Sequence, residues 1–252
     1  MAASVAHIYR YPVKSLSAEA LAATILAVGQ PLPNDRRFAI AHGASRYDSA
    51  SPQWQPKAAF LALVRNARLA KLRTRFDEAT DLLTIERDGK AVCRGKLSDP
   101  IGRSVIEQFL AAFMGEEARG TPRIAASSGV VFANTPEPYV SIIGLASVRD
   151  LERVVRSSVE PIRFRANIYV DGLPPWAEFA WPGKTITMGG ARLEVVRRID
   201  RCAATEVNPA KGLRDLRVLS SLQSGFGHID MGVYARVIGA GPVKQGDSVT
   251  VD

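Results

Sequence analysis

The sequence predicts a mainly β (α+β) protein, with two β-rich, barrel-like halves and a few helices. Three observations carry this prediction. Short runs rich in β-branched and aromatic residues recur along the chain, separated by Gly, Pro and Asp turns. Only two stretches show helical spacing. No apolar run reaches the roughly 18 residues that a membrane-spanning helix needs.

In the first half, Val5–Tyr11, Ala22–Val28 and Arg36–Ala41 read as strands. Leu69–Phe76 and Leu82–Arg87 flank a five-residue loop, Asp77 to Asp81. Asp88-Gly89 is a two-residue turn that favours φ > 0, and it pairs Leu82–Arg87 with Lys90–Arg94. Ser98-Asp99-Pro100 supplies a cap and a first-turn proline. Ile101, Val105, Ile106, Phe109, Leu110 and Phe113 follow at helical spacing, and the helix stops near Gly115. Gly120-Thr121-Pro122 marks a domain boundary, dividing the chain into 1–120 and 121–252.

The second half opens on loop residues, Asn134-Thr135-Pro136-Glu137-Pro138. A second helix is expected from Ser147, with Asp150 completing a capping-box-like pattern. Strands follow at Asn167–Val170, Thr185–Met188 and Arg192–Arg198, with Gly189-Gly190 as a hairpin turn. Gly232–Ile238 and Ser248–Val251 end the chain, joined by a Gly- and Pro-rich connection.

Composition narrows the function classes. Two cysteines cannot build a disulfide framework, a four-cysteine zinc site or an iron–sulfur cluster, and a reducing cytoplasm is the expected compartment. The N-terminus lacks the charged and apolar regions of a secretory signal. The formal charge is +8, but the basic residues are scattered. That pattern argues for an anion pocket over a nucleic-acid or membrane surface. The three histidines have no metal-ligand spacing, and no nucleotide-binding or hydrolase motif is present. His228 and Asp230 form a candidate pair for activating a thiol.

The most informative stretch is Ile199–Val207, which places Cys202 beside Arg197, Arg198 and Arg201. Nearby cations favour a thiolate, the form that ligates soft metals or carries sulfur. Cys93 alternates with charged neighbours and reads as a core or half-buried strand position. Arg165 and Asn167 lie two apart, which on a strand points both to one face. A guanidinium and an amide there suit an oxygen-rich anion. Pro12 ends the first strand, leaving Lys14 and Ser15 on a loop, and Asp35-Arg36 starts another, with Arg37 as a competing candidate.

Three motifs together resemble the MOSC family: Arg201-Cys202-Ala203-Ala204-Thr205-Glu206-Val207-Asn208-Pro209, Arg163-Phe164-Arg165-Ala166-Asn167 and Tyr11-Pro12-Val13-Lys14-Ser15. Gly232-Val233-Tyr234-Ala235 is a fourth companion. The resemblance implies an N-terminal MOSC-associated β-barrel domain followed by a MOSC β-barrel. It implies a molybdenum–molybdopterin cofactor, with Cys202 as catalytic residue and metal ligand. Lys14, Ser15, Arg36, Arg165 and Asn167 would bind the pterin phosphate or ring. The implied activity is reduction of N-hydroxylated compounds with electrons from a separate donor protein (flavoprotein, ferredoxin or cytochrome). A persulfide on Cys202, in a sulfur carrier for cofactor maturation, is the alternative. Two positions depart from the family pattern. Glu137 stands near the expected phosphate cradle, where Thr135 or the helix start at Ser147 could substitute, and Asp200 stands two before the cysteine.

Overall fold

The computed structural model describes residues 2–48, 51–126, 129 and 131–252. Burial alternates along strands such as Ala191–Asp200, while Phe38–Ala41 and Val140–Gly144 are buried throughout, and the chain order is as follows. The first half runs β1 (Ser4–Arg10), β2 (Glu19–Leu21), β3 (Ala23–Leu26), β4 (Phe38–Ala41), β5 (Arg73–Asp77), β6 (Leu82–Arg87), β7 (Lys90–Lys96), α1 (Pro100–Met114) and β8 (Arg123–Ala126). The second half runs β9 (Val140–Gly144), α2 (Leu145–Val155), β10 (Ile168–Asp171), β11 (Thr185–Met188), β12 (Ala191–Asp200), α3 (Val218–Phe226), β13 (Asp230–Gly239), β14 (Gly241–Lys244) and β15 (Val249–Val251). The fold is mainly β, as the sequence predicts.

One eight-stranded sheet has the order β15-β11-β12-β13-β9-β10-β1-β2. It curls into a half-barrel whose β15 edge reaches back to β1, the strand beside the opposite edge: Val249 N–H bonds the Ala3 carbonyl at 2.9 Å and Val5 N–H bonds that of Asp247 at 2.9 Å. Its interior is aliphatic, with Ile8, Ile142, Ile168, Val170, Ile186, Leu193, Val195 and Val233 in one buried cluster. The first strand of the chain is thus a stave of the half-barrel built by the second half, and β3 pairs with β14 near the end of the chain. A second core joins the β5-β6-β7 sheet, α1 and the loops around Val13, Leu61 and Leu69.

Local signals explain several elements. Asp88 and Gly89 both have positive φ, and Arg87 faces Lys90 across their turn. The Asp99 carboxylate accepts the N–H groups of Ile101 and Gly102, which caps α1. Cys93 is a half-buried free thiol on β7, and burial pushes its pKa up.

Four expectations need correction. Residues 67–71 form a tight 3₁₀ turn, so the strand begins at Arg73. Gly102 lies against the Lys96 backbone, which turns Ile101 (75% exposed) and Val105 (43%) outward from the expected apolar face. α2 starts at Leu145 without a side-chain cap, because the Ser147 hydroxyl donates to the buried Glu178 carboxylate at 2.9 Å. Arg165 and Asn167 share no strand face: Arg165 ends a 3₁₀ turn at φ +52°, and β10 begins only at Ile168.

Candidate functional site

A cavity of about 310 Å³ opens where the barrel meets the N-terminal layer. Loops from distant parts of the chain build its wall. Lys14 and Ser15 come from the loop after β1, Arg36 from the segment before β4, Arg165 and Asn167 from the approach to β10, and Cys202 from the end of β12. All six residues singled out by sequence line this one cavity. Seven basic side chains line it against a single carboxylate, Asp200, so the space favours an anion.

Lys14 and Arg165 are held by neutral groups, whereas Arg36 and Arg163 have carboxylate partners behind the wall. Lys14 Nζ donates to the Phe132 carbonyl (2.8 Å), the Ala133 carbonyl (3.1 Å) and Asn134 Oδ1 (3.2 Å). Burial, with Arg36 and Arg165 nearby, pulls the Lys14 pKa down to about 7. The buried Asp35 carboxylate pairs with Arg36 and accepts the Tyr11 N–H at 2.8 Å. Burial opposes the charge on Arg36 most strongly, but Asp35 together with Tyr11 and Tyr234 more than offsets it and the pKa is raised. Arg165 has no carboxylate partner. Its Nη1 donates to the Leu16 carbonyl at 2.7 Å, while its buried Nη2 has no hydrogen-bond partner. Burial lowers the Arg165 pKa to about 10.

Ser15, Arg36 and Arg165 all have positive φ (69°, 50° and 52°). For residues with a Cβ that conformation costs on the order of 1 kcal/mol each, a strain that tends to concentrate at functional sites. The Ser15 hydroxyl accepts the Leu63 N–H at 3.4 Å and keeps its own hydrogen. The Asn167 amide is largely committed. Its Oδ1 accepts from Ser141 N (3.1 Å) and Ser141 Oγ (2.8 Å), and its Nδ2 donates to the Tyr9 carbonyl (3.3 Å).

Cys202 is a half-buried free thiol at the start of a one-turn 3₁₀ segment. The residues after it hold that turn in place. Thr205 Oγ1 donates to the Cys202 carbonyl at 3.0 Å. Asn208 Oδ1 accepts the N–H groups of Ala210 and Lys211, and its Nδ2 donates to Asp215 at 2.6 Å. Asp215 grips Arg163 through two bonds of 2.8 and 3.0 Å. Val207 anchors the segment in the N-terminal core.

Residues 2–119 match the model of the MOSC N-terminal beta barrel domain, and residues 130–250 match the model of the MOSC domain. The chain belongs to the MOSC family. Among curated relatives, a molybdenum cofactor sulfurase of Caenorhabditis elegans is 26% identical over 92% of this chain and 33% of its own length. A molybdenum cofactor sulfurase of Caenorhabditis briggsae is 31% identical over 60% of this chain and 21% of its own. Mitochondrial amidoxime-reducing component 1 of Mus musculus is 28% identical over 43% of this chain and 35% of its own. The MOSC chain thus spans a fifth to about a third of the lengths of these relatives. Among solved structures, the YUAD protein of Bacillus subtilis aligns over 100% of this chain and 96% of its own, at 14% identity and a TM-score of 0.46.

The geometry of this MOSC chain settles several sequence alternatives. Arg37 turns away from the cavity to Asp81 (2.8 Å), leaving Arg36 as the lining residue. Glu137 is exposed and stays out of the wall, whereas Thr135 is part of it. The start of α2 is taken by Glu178, whose Oε1 accepts the Gly144 N–H at 3.1 Å. His228 packs among Trp176, Phe179 and Phe226 outside the cavity lining, and its Nδ1 accepts the Asp230 N–H at 3.2 Å. Arg198 stacks on Phe179, and Arg201 sends its guanidinium to the Met231 and Phe164 carbonyls. Sequence reasoning missed Lys57, Trp54 and Tyr139 in the wall, since no local signal ties them to Cys202, whereas Arg197 of the arginine run around the cysteine does line it.

Proposed function

We propose that this chain is a molybdenum-cofactor-binding oxidoreductase that reduces N-hydroxylated compounds with electrons from a separate donor protein. The observation that carries the reading is the Cys202 thiol on a 310 Å³ cavity with seven basic side chains and one carboxylate. No group of three or more His, Cys, Asp or Glu side chains suited to a metal occurs among the described residues. A metal at Cys202 must therefore arrive with ligands of its own, as it does in a pterin dithiolene. The unpartnered Arg165 Nη2 and the crowded cations fit the phosphate of such a cofactor.

In this reading Cys202 holds the molybdenum, while Lys14, Ser15, Arg36 and Arg165 hold the phosphate. Asn167 fixes the cavity floor through Ser141 and keeps one Nδ2 hydrogen for the ring. When bound, the cofactor supplies two-electron oxygen-atom transfer. The chain has no cysteines for a cluster of its own, hence the need for a flavoprotein, ferredoxin or cytochrome donor. No helix among the described residues is long and apolar enough to cross a membrane. The two cysteines, too few for a disulfide framework, support a reducing cytoplasm as the proposed compartment.

The sulfurase relatives favour a second reading, a sulfur carrier with a persulfide on Cys202. Elemental analysis separates the two. Protein from a cofactor-competent host should carry near-stoichiometric molybdenum, and Cys202→Ser should lose it while staying folded. Molybdenum absent from both proteins, with a persulfide found on Cys202, would transfer the assignment to the carrier. Equal metal and equal activity in both would remove Cys202 from the site.

A further inference from the structure

Two stretches that lie far apart in sequence meet at the rim of the cavity. Arg214 donates to the carbonyl of Ala203, the residue after Cys202, and at 2.8 Å to that of Val64, a residue of the wall. The chain from Val207 to Arg214 closes a hairpin: these two residues pair, and Asn208 N–H bonds the Leu213 carbonyl at 2.7 Å. Near its tip Gly212 has φ +63°, and a Cβ there would stand 2.7 Å from the Lys71 side chain and 3.1 Å from the Ala67 oxygen. The hairpin is thus seated on the 3₁₀ turn at residues 67–71, with its conformation fixed before any partner arrives.

The seam between the two stretches is cationic. Arg65, Arg68, Lys71, Lys211 and Arg214 are exposed along it. Glu117 stands 3.9 Å from Arg68, and Glu206 stands 3.5 Å from Arg214. Among the described residues, Arg65, Lys71 and Lys211 have no ion-pair partner. None of the five cations lines the cavity, so a bound cofactor phosphate does not account for them. Leu213 stands among them, 60% exposed. An apolar centre ringed by free cations is the build of a transient protein interface: the charges steer an acidic partner in, and the apolar group is desolvated on contact. A nucleic-acid backbone would use the cations and leave the leucine in water.

We infer that this seam, with Leu213 at its centre, is the docking surface for an acidic face of the electron-donor protein. The inference rests on the reductase reading above and says where the donor of that reading binds. Each turnover oxidises the donor by two electrons. The N-hydroxylated compound takes those electrons and two protons from solvent, its N–O bond breaks, and the oxygen leaves as water. Arg214 ties the seam to the main chain beside Cys202, so a donor seated there reaches the site by the rim that the cavity shares with the seam.

The test uses molybdenum-loaded protein, N-hydroxybenzamidine as substrate and two kinds of reductant. Dithionite-reduced methyl viologen is a small molecule that needs no docking surface, whereas reduced flavodoxin and plant-type ferredoxin are acidic proteins that do. The double variant Lys71→Glu, Lys211→Glu should raise the KM for the better of the two proteins about tenfold at low salt and keep the viologen-driven rate of the wild type. The wild-type KM should rise as ionic strength goes from about 20 to 200 mM, and the double variant should lose most of that dependence. Leu213→Ser should raise the KM at both ionic strengths. Lys184→Glu with Lys244→Glu, exposed cations away from the seam, should change nothing. An unchanged KM in the seam variant, or an equal loss with viologen, overturns the docking surface and leaves the reductase reading standing. So does a wild type that viologen drives and neither protein drives. A wild type that no reductant drives overturns the reductase reading and the donor with it. Duplex DNA that binds the same lysines more tightly than either protein gives the seam to nucleic acid instead.

Discussion

Arg36 donates to the main-chain oxygen of Arg165 at 2.9 Å, and both guanidinium groups lie over the ring of Tyr11, at 4.9 and 4.2 Å. The two residues are 129 apart in sequence. The contact therefore joins the N-terminal segment to the barrel and sets two like charges on one buried aromatic ring. The ring faces offset part of the repulsion, and Asp35 neutralises Arg36, but nothing neutralises Arg165. An anion completes the arrangement.

The first prediction follows from that missing partner. Inorganic phosphate should raise the melting temperature of the wild type, and Arg165→Gln should need about ten times more phosphate for the same shift. Arg165→Lys should recover less than half of the response, because an ammonium keeps the charge without the fork. Equal phosphate responses in all three proteins would place the anion elsewhere.

Lys14 carries a pH prediction. Its folded pKa of about 7 lies well below the ordinary lysine value of 10.5. Between these values the unfolded chain holds the proton and the folded chain does not, so stability gains with rising pH in that window. Below pH 7 both states are protonated, and the full cost of the buried charge is present. Lys14→Met should therefore be favoured relative to wild type at pH 6 and should lose that relative advantage by pH 9. Urea denaturation of both proteins at the two pH values measures this. The difference between them should change with pH in that direction, whatever constant offset the lost hydrogen bonds impose.

Much of this was legible in the chain where the signal is local. Asp88-Gly89 specifies one hairpin, and Asp99 specifies the start of α1. The site residues were found through motifs, and all six face one cavity. The signals that failed are long-range. Ser147 looks like a helix cap until Glu178, 31 residues on, takes its hydroxyl. The connection before β15 looks like a loop until β14 finds β3 more than 200 residues away. Arg165 looks like a strand residue until its neighbours hold it in a left-handed turn. In the first two cases a partner distant in sequence overrides the local preference.

Asp215 should control the cysteine turn without touching the cavity. It supplies two bonds to Arg163, whose side chain is only 1% exposed, and one to Asn208. Asp215→Ala leaves that guanidinium with Glu160 and the Glu206 carbonyl and frees Asn208. The expected cost is about 2 kcal/mol, the scale of hydrogen bonds to a charged group, tempered by the partial exposure of Asp215. Chemical denaturation gives that number. Molybdenum content should fall together with stability, because the turn that presents Cys202 loses its clamp.

The last prediction sets helix propensity against packing. Gly102 lies in the first turn of α1, where alanine is favoured by about 1 kcal/mol over glycine. A Cβ at Gly102, however, would stand 2.3 Å from the Lys96 carbonyl oxygen and 2.4 Å from its nitrogen. Both are backbone atoms and cannot rotate aside. Gly95 on β7 meets Gly102 from the other side, with its own Cβ position 2.2 Å from the Gly102 oxygen. The strand and helix therefore touch backbone to backbone, and α1 must shift if either residue gains a side chain. Overpacking costs about 1–3 kcal/mol and should exceed the propensity gain. Gly102→Ala should lower the melting temperature by several degrees, while Ser104→Ala, two residues further along the helix, should leave it within a degree or raise it. A stabilised Gly102→Ala would show that α1 can move off β7 at little cost, and the outward turn of Ile101 and Val105 would then need another cause.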